Sequence, residues 1–188
     1  MLVRDILKHN AVINDVRRIL TNDCSIFLEQ SGSTPLYKSL PMTYENFHRV
    51  KVRLQKRKDG VTDVFERAFG HEFSNLRQRA VFASPDTPVC ESHQEPFYVF
   101  PTNGYKFLYS KEVTNSDAEY RSVIDTLVST MGNLSEATEI VTDLLKYTYM
   151  TTNLKEGLDA GAEVIFYGIP YYYAVRVSAF PSYTDLIQ

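Results

Sequence analysis

The sequence predicts an α+β fold: a largely antiparallel, split β-sheet core with flanking helices. Three observations carry that prediction. Helix-period and strand-period segments follow one another in mixed order (helix, short strands, helix, strands, two helices, strands), which suits an α+β layering. The strand candidates are short β-branched and aromatic runs cut by Gly, Pro and Asn. The regular strand–helix alternation that a parallel sheet requires, the mark of the α/β alternative, is missing. With 188 residues, 44% of them hydrophobic and 23% charged, residues 1–188 are expected to form one domain that needs no staples. Within it, 1–30 reads as an N-terminal helical segment and 35–178 as the core.

Leu2, Ile6, Val12, Ile13, Val16, Ile19 and Leu20 recur at helical spacing, giving one broken helix or two short ones over 2–20. "CSIFLEQSGS" reads as a short strand stopped at Gly32, and "TPLYKSLP", bracketed by Pro35 and Pro41, as an extended piece. "FHRVKVRLQKR" alternates Val50, Val52 and Leu54 with Arg49, Lys51 and Arg53, the pattern of a half-buried strand. After the "KDG" turn, "VTDVFERAFGHEF" is helical and "RAVFASPD" is a strand entering a Pro turn. "PFYVFP" and "YKFLYS" flank Thr102-Asn103-Gly104, a hairpin signal. Ser116 and Glu119 form a capping box for one helix, and a second helix starts at Ser135. The closing run "AEVIFYGIPYYYAV" reads as two paired strands.

The net charge of −3 is unevenly spread, since residues 49–79 hold nine Lys or Arg against four acids. Such a segment either faces water or meets phosphates. No stretch has the roughly 20 apolar residues of a membrane helix, and charges at positions 4, 5 and 8 leave no room for a secretory h-region. Cys24 and Cys90 lack CxxC spacing and are expected as reduced thiols in a cytoplasmic protein. GxGxxG, GxxxxGK[ST] and GxSxG are absent, and "HEF" lacks the second His of a zincin. The four His residues are scattered, so no metal site is expected.

Three stretches together resemble the ADP-ribosyltransferase superfamily, and within it small bacteriophage-encoded members. "PLYKSL" (35–40) is similar to the family's first strand. "RQRAVFASPD" with "EPFYVFPTNGYKFLYS" (77–110) is similar to its middle block, a strand ending at a Ser followed by a hairpin. "AEVIFYGIPYYYAV" is similar to the final block, where a Glu begins a strand. The resemblance implies an NAD-dependent transferase of the glycosyltransferase class. It would move ADP-ribose to a host or phage macromolecule, protein or nucleic acid, in the cytoplasm of an infected bacterium. NAD would be a substrate, with no metal and no membrane involved. It implies Glu163 as the catalytic carboxylate, Lys38 as the first-strand cation on the cofactor, Ser84 as the supporting strand-end Ser, and Arg77 as a further cofactor-binding Arg. Tyr98 or Phe97 would stack on the nicotinamide ring. On residue type alone Glu163 is more often a solvated strand-start residue, Lys38 an exposed amine, Ser84 a turn former and Tyr171-Tyr172-Tyr173 strand packing.

Two departures bear on the acceptor. Lys38 stands where Arg is usual, exchanging a planar fork for a point charge. Gly161 stands where arginine-modifying members carry Glu or Gln, so protein Arg is not the expected acceptor, and the basic strand would suit a phosphate-bearing one. A catalytically inactive binding module that inhibits a host protein, and a nucleic-acid-binding accessory protein, are the alternatives.

Overall fold

A computed structural model describes residues 3–52, 59–70 and 76–188, the first eight by backbone alone. Helices α1 (Val3–Asp23) and α2 (Ser25–Ser31) come first. Strands β1 (Tyr37–Pro41) and β2 (Phe47–Lys51) lead to helix α3 (Gly60–Phe69). Strands β3 (Val81–Ala83), β4 (Gln94–Pro101) and β5 (Lys106–Tyr109) precede helices α4 (Ser116–Met131), α5 (Leu134–Thr148) and α6 (Leu154–Asp159). Strands β6 (Val164–Tyr167) and β7 (Tyr171–Arg176) and helix α7 (Tyr183–Ile187) close the chain.

The strands form two sheets, one ordered β1-β4-β7-β2 and one β3-β6-β5, and every pairing is antiparallel. The α+β class with antiparallel sheets and flanking helices is therefore observed. One bridge stitches the sheets together: Tyr37 N–H donates to Ser84 O at 2.7 Å and Ser84 N–H to Tyr37 O at 3.1 Å. Strand β6 shows why the final run is apolar throughout. Val164 and Phe166 enter a core shared with α1, α2 and the larger sheet, while Ile165 and Tyr167 enter a second core with α3, α4 and α5. A strand buried on both faces has no polar alternation.

Several expectations are corrected. "CSIFLEQSGS" is helical, not extended: Gly32 ends α2 as a left-handed C-cap (φ 59). The periodic positions from Ile6 to Leu20 lie in one unbroken helix of 21 residues, not a broken one, and Leu2 lies outside the described residues. Neither expected hairpin exists, because β4 and β5 lie in different sheets, as do β6 and β7. Both edges of β4 are taken by β1 and β7. The 102–104 turn is instead pinned to the helices: Asn103 Oδ1 accepts from Ile26 N–H at 3.1 Å, and Asn103 N–H donates to Asp23 O at 2.7 Å. The helix caps fall earlier than expected, on Asn115, which accepts from Ala118 N–H, and on Asn133, which accepts from Ser135 N–H. Helices α6 and α7 add to the expected elements.

Strand β2 is half-buried as expected, with Val50 inside and Arg49 and Lys51 exposed. The basic positions 53–58 and "HEF" at 71–73 lie outside the described residues. Cys24 and Cys90 are free thiols. No described helix is long and apolar enough to cross a membrane.

Candidate functional site

Register alone assembles three of the singled-out residues. The β3–β6 pairing aligns Ala83 with Val164, so one further step sets Ser84 opposite Glu163 at the strand ends. The Tyr37–Ser84 bridge brings β1, and with it Lys38, against the other side of β3. Lys38, Ser84 and Glu163, 46 and 79 positions apart in sequence, thus sit on three neighbouring strands. All three line one cavity of about 470 Å³, together with Phe82, Thr87 and Asn115. A second cavity of about 570 Å³ adjoins it across Lys38 and Phe82 and is walled further on by Leu40, Tyr44, His48 and Tyr172. Tyr44 and His48 stack there with centroids 4.3 Å apart.

Glu163 is partly buried, and its Oε2 accepts from Ser116 N–H at 3.0 Å in the first turn of α4. Backbone N–H groups and the positive helix end favour an anion there. Burial nonetheless dominates and raises the Glu163 pKa above the ordinary value, opposed by Ser116 and by the charges of Arg77 and Lys38. Lys38 Nζ donates to Phe82 O at 3.1 Å, holding the ammonium over the cavity junction. Ser84 does form the turn expected of it, its Oγ accepting from Asp86 N–H at 3.2 Å. That bond uses a lone pair and leaves the hydroxyl proton to donate elsewhere.

Arg77 and Tyr98 do not line the cavity. Arg77 is 2% exposed, bonds Asp117 Oδ1 at 2.8 Å and lies 5.0 Å and 5.1 Å from the Phe65 and Phe82 ring centroids. Its charge favours the ionised form of Glu163. Tyr98 is 3% exposed, packs on Tyr37 and Tyr183, and donates its hydroxyl proton to Pro181 O at 3.2 Å. Phe97 is wholly buried. The rings that do face the cavity are Tyr37 and Phe82. Phe82, half-buried between buried Val81 and Ala83, lies in an all-apolar run that set it apart by no signal. Thr87 and Asn115 had none either.

Gly161 sits in a turn at φ 74, and a Cβ added there would meet nothing within 4 Å. Backbone conformation, not crowding, therefore favours glycine two residues before Glu163. Among the described residues no group of three or more His, Cys, Asp or Glu is arranged to hold a metal ion. Compared with protein-family models, curated proteins and solved structures, the chain matches none.

Proposed function

We propose that the protein transfers ADP-ribose from NAD to a host or phage macromolecule, as the likeness to phage ADP-ribosyltransferases implies. The observation that supports this reading most is the convergence of Lys38, Ser84 and Glu163 on one cavity. Two adjoining hollows on either side of Lys38 suit a two-part ligand with a charged linker.

In the reaction the ribose C1′–nicotinamide bond breaks, and its electron pair leaves with nicotinamide, whose ring becomes neutral. Positive charge moves onto the ribose ring oxygen and C1′. An ionised Glu163 attracts that charge more strongly as the bond breaks, which lowers the barrier selectively. Lys38 would bind the diphosphate as a point charge, and Ser84 would orient the nicotinamide side. The rings of Tyr37 and Phe82 take the stacking role expected of Tyr98 or Phe97. A nucleophilic oxygen or nitrogen of the acceptor then bonds C1′ and gives its proton to water.

One observation favours a second reading, a catalytically silent binding module: the Glu163 carboxylate is already engaged by Ser116 N–H. Incubation with labelled NAD and bacterial lysate separates the two. Transfer predicts a labelled macromolecule, removed by protease or by nuclease according to its class, and lost in Glu163→Gln. Absence of both label and nicotinamide release from the wild type leaves the silent module.

A further inference from the structure

Among the described residues, strand β2 is an edge strand of the larger sheet, paired with β7. Phe47, Arg49 and Lys51 share one face of it, beside Val175, Tyr173 and Tyr171 of β7. The Arg49 guanidinium lies 3.6 Å from the Tyr171 ring centroid. Phe47 stacks on Tyr173 at 5.2 Å with an interplanar angle of 13°. Arg49 and Lys51 are exposed, and Phe47 and Tyr171 are half-buried. Tyr173 is held beneath them by its hydroxyl, which donates to Asp23 Oδ2 at 2.5 Å. In sequence, positions 46–58 carry six Lys or Arg and no acid, in a chain whose net charge is −3.

We infer that this face binds a single strand of RNA or DNA, with bases stacked on Phe47 and Tyr171 and phosphates on Arg49 and Lys51. Cations and rings interleave here as bases and phosphates do along a strand. Arg49 and Lys51 are two residues apart, roughly 6.6 Å along a β-strand, a reach that suits successive phosphates of an extended chain. Phe47 and Tyr171 remain partly exposed, and stacking on them calls for unstacked bases, which a duplex does not offer. A guanidinium lying flat on Tyr171 widens the stacking platform, a role that needs the planarity of Arg. A lipid surface is the poorer fit, because the described side chains of this face are two exposed cations and two half-buried rings, with no large apolar side chain among the exposed ones. Arg49 and Lys51 also border the second cavity, but strand binding is measured without NAD and needs no Glu163, so its failure is distinguishable from failure of the transfer reading.

Fluorescence anisotropy of the full chain tests it, with labelled 12-nucleotide single-stranded RNA and DNA, the matching duplex and heparin, between 50 and 200 mM salt. Single strands are expected to bind at least about tenfold tighter than duplex or heparin, with affinity falling as salt rises. Joint replacement of Arg49 and Lys51 by Ala should lower the salt slope by about 1.4, roughly 0.7 for each phosphate left without its cation. Tyr171→Leu should weaken binding about 5- to 100-fold while leaving that slope unchanged. Arg49→Lys, which keeps the charge and a surface position, should also weaken binding at constant slope, and covers the case in which Tyr171→Leu does not fold. Equal affinity for heparin or duplex, no binding at 50 mM salt, or competition by polyglutamate as effective as by RNA would each overturn the inference.

Discussion

Replacing Glu163 by Gln keeps the side-chain shape and an oxygen for Ser116 N–H while deleting the charge. Two effects oppose each other in the wild type. Burial disfavours the ionised carboxylate, and the α4 terminus, Arg77 and Lys38 favour it. The raised pKa says that burial wins. The folded state therefore holds the Glu163 proton more tightly than the unfolded chain, so this group's contribution is fully present below about pH 4.5, its ordinary value, and is lost as pH rises through the higher folded value. A Gln stays in the protonated-like condition throughout. Glu163→Gln is thus expected to match the wild type in acid and to be as stable or more stable at pH 7.5, while transfer falls about 10²- to 10³-fold, the usual loss for one electrostatic group. Urea melts at pH 4 and pH 7.5, paired with an NAD-labelling assay, measure both. If the carboxylate serves mainly to hold α4, the charged hydrogen bond contributes about 1.5–3 kcal/mol. The variant's unfolding free energy from the urea melt would then be lower at pH 7.5 by about that amount. That result would refute the reasoning from burial and return Glu163 to a structural role.

Arg77→Met should cost about 2 kcal/mol in urea melts, because it removes the bond to half-exposed Asp117 and the cation's packing on two rings. The same change should move the Glu163 titration seen by carbon NMR to higher pH, because a cation that favours ionisation is gone. Asn103→Ala should lower stability by about 1–2 kcal/mol, since α2 has no side-chain cap of its own and Asn103 Oδ1 serves Ile26 N–H from across the turn. Gly161→Glu should destabilise by about 1–2 kcal/mol, because an L side chain is strained at φ 74, and mass spectrometry of labelled lysate should find no new arginine modification in it.

Local chemistry was legible wherever one stretch of chain decides the outcome. The half-buried alternation of β2, the helical run of α3 and the two helices after residue 115 follow from period, although the caps are Asp59, Asn115 and Asn133 rather than the residues the sequence suggested. "CSIFLEQSGS" misled because Gly32 at φ 59 ends a helix as readily as it ends a strand. The paired-strand expectations failed for another reason. "PFYVFP" next to "YKFLYS" has the composition of a hairpin, yet sheet membership depends on which edges are free, and β1 and β7 had taken both edges of β4. The candidate site behaved in the same way. The resemblance singled out Glu163, Lys38 and Ser84, but it also proposed Tyr98, whose buried ring packs on Tyr37 and Tyr183.

By itself, then, the sequence determined the α+β class, the strand segments that alternate, the charge asymmetry of residues 49–79 and the residue types available for chemistry, because these are properties of single segments. Only the tertiary structure decided that β3 pairs with β6 and bridges to β1, which gathers Lys38, Ser84 and Glu163 at one cavity and leaves Tyr98 out. Strand pairing between distant segments is settled by which edges and faces remain to be buried, a competition among the whole chain's elements that no local window contains.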